Sequence, residues 1–287
     1  MSTLSRLAVY LGATLAVLFS AWPILIMVLE SFSIDLSPFF SGKGIRFIGG
    51  VPYYSGGIFP TISNYADALN YAGFPRLMVN SLAIALGGIS IALVAGVPAG
   101  YAMARMEARG KEAIGFMLLA LRAVSPFAVV LPLYLLYVRT GLWDTHLGMS
   151  VAYLAIDIPV VVWMARGFFA DVPRSIYEAA ESSGANERQI FWRVALRLVV
   201  PGLVATAVFA FVLIWDEFLM ASLLTGPVSQ TVSVGIWTGA GESIGAFKTI
   251  NWDEVNTFGT LAFVPAYFVV IAIRRYLARG FSLATAR

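Results

Sequence analysis

The chain has 287 residues, of which 59% are hydrophobic and 12% charged, with a formal net charge of +3. Soluble domains carry about twice that charged fraction, so this much apolar surface cannot be enclosed in one aqueous core and a bilayer is the natural solvent. Cys is absent and His146 is the single histidine, which excludes disulfides, thiolate chemistry and a histidine metal cluster.

In chain order, six segments reach the roughly 20 apolar residues that a bilayer crossing requires. They are residues 7–29, 78–102, 114–138, 148–168, 202–224 and 258–277. The first exceeds the roughly 7–15 apolar residues of a signal peptide and is read as an uncleaved span. A six-span thread gathers Arg6, Arg105, Arg109, Lys111, Arg166, Arg174, Arg188, Arg193, Arg197, Arg274, Arg275, Arg279 and Arg287 on one side. The other side holds only Lys43, Arg46, Arg76, Arg139 and Lys248. The positive-inside rule makes the first side, with both termini, cytoplasmic. The expectation is an all-α, polytopic inner-membrane protein. Two long loops, 30–77 and 225–257, then lie outside, the first carrying the turn-rich run from Gly49 to Gly57.

The longest hydrophilic stretch inside is 170–201, which reads as helix, turn, helix. Ser175-x-x-Glu178 has the form of a capping box. Gly184 suits a left-handed helix end, Asn186 can cap a second helix, and Pro201 marks the next break. With Ala179 and Ala180 this makes a short, small-faced helix suited to a groove on a cytoplasmic partner. Glu178 has two readings, a partner contact or its own capping box.

Here the chain resembles the permeases of binding-protein-dependent ABC importers, which carry an "EAA" motif. Glu178-Ala179-Ala180 is followed by Gly184 at the family's spacing, and Val194-Ala195-Leu196-Arg197 stands where the family has Ile-x-Leu-Pro. Ser183 replaces the Asp usual in sugar permeases, and Arg197 replaces the Pro. Asn80-Ser81-Leu82, Thr140-Gly141-Leu142-Trp143-Asp144-Thr145, Trp215-Asp216-Glu217-Phe218 and Arg275-Tyr276-Leu277-Ala278-Arg279-Gly280 also look like family segments, in the family's order. The first outer loop is unmatched beyond Asn64-Tyr65.

The resemblance implies the six-helix type I ABC importer permease fold, as one transmembrane domain over 1–287, of the carbohydrate (maltose/trehalose-like) type. It implies a non-enzymatic subunit forming half of a translocation pathway beside a second permease, usually a different chain. Two ATP-binding subunits would carry ATP and Mg, and an extracytoplasmic solute-binding protein would deliver the sugar. Tyr177, Glu178, Ala179, Ala180, Glu181, Ser183, Gly184 and Ala185 would form the ATPase-coupling site. Consistently, the chain contains no G-x-x-x-x-G-K-[ST] loop, and Gly42-Lys43-Gly44 has the wrong spacing. No cofactor, metal or nucleic acid is expected on this chain.

Charges within the spans are costly in lipid, so Arg122, Asp157, Asp216 and Glu217, with Trp215 adjacent, are candidates for the substrate pathway; a structural ion pair, or a position nearer the interface than the span ends suggest, is the equal alternative. Gly96-x-x-x-Gly100 permits close helix packing, Pro126 and Pro132 should bend the third span, and His146 reads as a solvated side chain. Trp22, Trp143, Trp192 and Trp237 read as interface anchors. Permeases for glycerol-phosphate, peptide or amino acid are the alternative solute readings. An ion-coupled secondary transporter would require an inverted repeat, which the sequence does not show. An intramembrane enzyme would require a nucleophile with its base.

Overall fold

The computed structural model describes residues 3–32, 34, 46–48, 51–53, 62–70, 73–105, 110–239, 242–244, 247–249 and 252–285. Most of the Gly49–Gly57 run and all of Lys43 lie outside them. The elements in order are α1 (Thr3–Ser31), β1 (Arg46–Ile48), β2 (Val51–Tyr53), α2 (Ser63–Asn70), α3 (Phe74–Arg105), α4 (Lys111–Leu121) and α5 (Pro126–Thr140). They continue with α6 (His146–Ala152), α7 (Leu154–Ala170), α8 (Arg174–Ser182), α9 (Glu187–Trp215) and α10 (Leu219–Leu224). The last are α11 (Val232–Gly239), β3 (Glu242–Ile244), β4 (Phe247–Thr249) and α12 (Trp252–Thr285). The strands form two antiparallel hairpins, β1–β2 and β3–β4.

Among the described residues three helices, α1, α3 and α9, are long and apolar enough to cross a membrane, and a fourth if α6 and α7, bent by 49° at Tyr153, count as one span. The expected third span, 114–138, is two shorter helices separated at residues 122–125. Pro126 opens α5 at its first turn. The residue before a proline is driven out of helical geometry, while proline itself suits a helix start, so Pro126 breaks the segment where a bend was expected. Pro132 lies within α5. The expected fifth span also differs. Pro201 sits inside a continuous helix that starts at Glu187, passes through a π-helical stretch at Ile190–Ala195, and ends at Trp215. The second arm of the helix–turn–helix is thus the first part of the span itself. The expected 258–277 span falls inside α12.

The chain divides into two compact units. The first comprises Met1–Arg76 and Gly235–Val264. Within it Ser31 anchors the end of α1: its Oγ meets the Tyr65 hydroxyl at 2.6 Å, and its carbonyl accepts from Asn64 and Thr257. Phe74 and Phe258 stack at 5.1 Å.

The second unit, Leu77–Val234 with Pro265–Arg287, contains the main core. Its organising contact is a row of small residues on α3, Gly88, Ala92, Gly96 and Gly100, spaced at helical repeats so that they share one face. A Cβ at Gly96 would stand 2.7 Å from Val161, and one at Gly100 would stand 2.7 Å from the Ala165 Cβ and 2.9 Å from the Val162 carbonyl. The expected packing role of Gly96-x-x-x-Gly100 is met: α3 lies backbone to backbone on α7. At α9, Gly202 makes room for the Phe168 ring in the same way.

At the end of α3 opposite Arg105, a polar clamp fixes the segment after α10. Asp144, in the turn between α5 and α6, accepts from the Gly226 and Ser229 amides and the Ser229 hydroxyl at 2.8 Å each, and from the Val228 amide at 3.0 Å. The Trp143 indole donates to the Leu223 carbonyl. Asn80 Nδ2 donates to the carbonyls of Val228 and Gln230, both at 3.0 Å, and Ser81 Oγ accepts from the Val232 amide at 2.8 Å. His146 Nε2 meets Asn80 Oδ1 at 2.8 Å, so the expectation of a solvated histidine is corrected: the ring is half-buried and orients Asn80. Burial pushes the Asp144 carboxyl upward, but the hydrogen bonds from Ser229, Val228 and Gly226 outweigh it and hold the group below the usual aspartate range.

Two predictions follow from these contacts. Gly100→Leu should force α3 off α7 and destabilise the fold by about 1–3 kcal/mol or more, while Gly167→Leu, which meets nothing within 4 Å, should not; thermal unfolding of the detergent-solubilised chain reads the difference. Asp144→Ala should leave three amides without an acceptor and lower hydrogen-exchange protection at Gly226, Val228 and Ser229 by roughly tenfold or more. Because the folded carboxyl is depressed, its stabilisation is complete above the unfolded value of about 3.9 and is lost as pH falls through the lower folded value. Wild-type protection should therefore fade only in that acidic window.

Candidate functional site

The helix α8 starts at Pro173, whose φ of −55° and ψ of 135° turn the chain into the helix without a side-chain cap. The Ser175–Glu178 capping box does not form. Ser175 already lies within the first turn, and Glu178 pairs instead with Arg174, Nε to Oε1 at 3.1 Å. A capping box does form on the second arm: Asn186 Oδ1 accepts from the Gln189 amide at 2.9 Å, and Gln189 Oε1 accepts from the Asn186 amide at 3.0 Å. Between the arms Gly184 takes φ +78°, the left-handed region that side chains resist. The Ala185 amide reaches back to the Ala180 carbonyl at 3.1 Å.

This short helix has two faces. Tyr177 points inward: it is buried, and its hydroxyl donates to the Phe169 carbonyl at 3.2 Å. Ala180 and Ala185 are half-buried against the same core. Glu178, Ala179, Glu181, Ser182, Ser183 and Gly184 are exposed. The eight residues expected to form the coupling site therefore divide into an inward anchor, Tyr177, and an outward surface centred on Glu178 and Ala179.

Sequence reasoning missed what holds the anchor. Arg105, the last residue of α3, lies over the Tyr177 ring with its guanidinium 4.5 Å from the centroid. Its Nη2 also donates to Glu181 and, at 3.0 Å, to Glu187. Tyr101, one turn earlier, donates its hydroxyl to the other Glu187 oxygen at 2.8 Å and packs its ring on Phe169 and Phe191. In the sequence Arg105 registers only as one charge on the basic side, because its partners are 76 and 82 residues away.

Among the described residues, no direct hydrogen bond or ion pair joins the side chains of the expected pathway residues to one another. Arg122 is exposed at the break between α4 and α5. Asp157 is completely buried on α7, and neither of its oxygens has a hydrogen-bond partner among the described residues. Trp215 stacks on Phe211 at 5.1 Å at the end of α9, and Asp216 is exposed in the break that follows. Glu217 acts as a cap: it accepts from the amides of Met220 at 2.7 Å and Ala221 at 3.1 Å, and from the Tyr153 hydroxyl at 3.3 Å. Among the described residues, no ion pair joins Arg122 to these acids, and no group of three His, Asp or Glu side chains stands where it could hold a metal ion.

Residues 96–283 match the family model described as "Binding-protein-dependent transport system inner membrane component". The "Probable ABC transporter permease protein y4oR" of Sinorhizobium fredii is 31% identical over 79% of this chain and 80% of its own length. The "Trehalose transport system permease protein SugB" of Mycobacterium tuberculosis is 29% identical over 76% of this chain and 78% of its own. A chain from the crystal structure of a bacterial ABC transporter involved in the import of the acidic polysaccharide alginate superposes with a TM-score of 0.71 over 96% of this chain and 98% of that one. At 20% identity that likeness establishes the fold. The match over most of the chain, on a fold of apolar helices with an exposed helix–turn–helix, settles the classification: the chain belongs to the inner-membrane components of binding-protein-dependent transport systems, membrane-spanning permease subunits of ABC transporters that are not themselves enzymes.

Proposed function

We propose that this chain is the permease subunit of an ATP-driven sugar importer and that the outward face of α8 docks into a groove on a cytoplasmic ATP-binding subunit. The single observation that carries the docking is the division of α8. A helix this short is marginal alone, yet Tyr177 roots it in the core while Glu178, Ala179 and the Gly184 turn stand exposed. Small Ala179 admits a close partner, and Glu178, whose ion-pair partner among the described residues is the exposed Arg174, is available to a basic residue. Sugar as solute is supported by the trehalose permease SugB among the relatives and by the EAA and Trp215-Asp216-Glu217-Phe218 segments.

The 287 residues act as one permease domain, both termini and residues 170–201 are cytoplasmic, and a second permease chain completes the pathway. An extracytoplasmic protein delivers the solute, and two ATP-binding subunits hold ATP with Mg, since this chain has no phosphate loop. ATP-driven closure of those subunits would displace α8 as a rigid body. Asp216, exposed beside Trp215, is the acid best placed for the pathway. Glu217 supports that position by capping α10, and Asp157 serves inside the helix packing.

The docking claim rests on substitutions that spare the anchor. Glu178→Lys should weaken co-purification of the ATP-binding subunit and solute-stimulated ATP hydrolysis by charge reversal at the contact. Gly184→Val should do so by forcing a β-branched residue into left-handed geometry, at about 1–2 kcal/mol. Glu178→Gln, which removes only an exposed pair worth about 0.3–0.5 kcal/mol, should leave the fold intact. Full assembly and stimulation in normally inserted Glu178→Lys and Gly184→Val would rule out the assignment. For topology, Asn186→Cys on this Cys-free chain should react with an impermeant maleimide only from the cytoplasmic side; reaction from outside alone would overturn the orientation.

A further inference from the structure

Beside the proposed docking surface lies the Arg105 guanidinium. It touches both arms of the helix–turn–helix, Glu181 on α8 and Glu187 on α9, and covers the Tyr177 ring that roots α8. Its Nε is buried without a hydrogen-bond partner among the described residues, and the carboxylates and the ring hold the rest of the group at the surface. A charged group bound on two sides in this way resists displacement of either arm without the other.

The other end of α3 is held as firmly, on different elements. Asn80 and Ser81 bind the backbone of residues 228–232, the segment that Asp144 also grips. Between Ser81 and Arg105 the helix runs about 36 Å at 1.5 Å per residue. Along it Gly100 lies against the α7 backbone, Gly96 against the Val161 side chain, and Gly88 against Ser150 and Tyr153, which limits how far its two ends can move independently. A packed helix with a polar clamp at each end is a physical link between two sites, which spatial intermediacy alone is not.

From this geometry we infer that Arg105 is the positioning residue that couples α8 to α3, and that α3 carries the displacement of α8 to the 225–232 segment at its other end. Nucleotide binding on the partner then alters the exposure of that segment, with Asn80 and Ser81 as the receiving contacts. The inference rests on the docking of α8 proposed above, and its test separates the two. Arg105 bonds to Glu181 but to neither Glu178 nor Ala179 among the described residues, so losing it breaks the transmission while the centre of the docking face remains.

The test uses the complete transporter, with its ATP-binding subunits and binding protein, in liposomes. Val228→Cys places a thiol at an exposed position whose backbone is held by Asp144 and Asn80. Its maleimide labelling rate is measured with and without ATP, Mg and vanadate. The parent rate should change by about fivefold or more on trapping, the lower range of measured site-to-site couplings. Arg105→Ala should retain co-purification of the ATP-binding subunit and lose the trapped-state change. Arg105→Lys, which keeps the charge but cannot span two acids and stack on the ring, should recover part of it. Should Arg105→Ala fail to insert, Glu187→Ala removes the second-arm acceptor of Arg105 and Tyr101 without touching the outward face of α8 and should give a loss in the same direction. A full nucleotide response in an assembled Arg105→Ala complex, or no response at Val228→Cys in the parent, overturns the inference. Failure of docking itself is read independently, by undiminished assembly in Glu178→Lys.

Discussion

One guanidinium organises this end of the molecule. Arg105 closes α3, neutralises Glu181 and Glu187 on the two arms of the helix–turn–helix, and lies on the ring of Tyr177. The first arm alone would be weakly held, since α8 spans Arg174–Ser182 without a side-chain cap; the second is secured by its own Asn186–Gln189 box. Charge-assisted bonds to two acids and a stacked ring fix the angle between the arms, and that angle sets which face of α8 is presented outward. The exposed Glu178 and Ala179 surface is therefore a consequence of contacts made on the opposite side of the helix.

The same economy of contact governs the spans. Apolar helices in lipid gain nothing from hiding side chains against one another, so close association depends on backbone approach. Gly96 and Gly100 let α3 seat on α7, and Gly202 admits the Phe168 ring. Where the backbone leaves helical geometry, nearby polar groups complete it. Glu217 receives the amides that open α10, and Asp144 receives three amides of the segment beyond. Glu217 looks functional when read as an isolated charge; the structure gives it a backbone to hold, whereas Asp216 stands exposed and Asp157 is buried with no hydrogen-bond partner among the described residues.

The legible and illegible parts of the sequence divide along physical lines. Hydropathy located α1, α3 and α9 because each is a long apolar run whose signal is local, although α9 begins well before the expected start. Gly184 and Asn186 were readable because left-handed geometry and capping depend on one residue and its near neighbours. Ser175–Glu178 misled because Pro173 starts the helix two residues earlier than a capping Ser175 would require, leaving Glu178 paired with Arg174. Pro201 misled because a proline can sit within a helix that packing sustains on both sides. Arg105 and Asp144 were beyond sequence reasoning altogether: their partners lie about eighty residues away, and only the fold brings them together. Tyr177 stood within the family motif, but nothing local showed which way it points.

The central claim is that α8 turns one face to its own core and the other to an ATP-binding partner. A photoreactive amino acid placed separately at positions 177 and 179 of the assembled transporter tests that claim directly. The account predicts that position 179 cross-links to the ATP-binding subunit on irradiation and that position 177 cross-links only within this chain. Cross-linking of the partner from 177, or of lipid alone from 179, would contradict it.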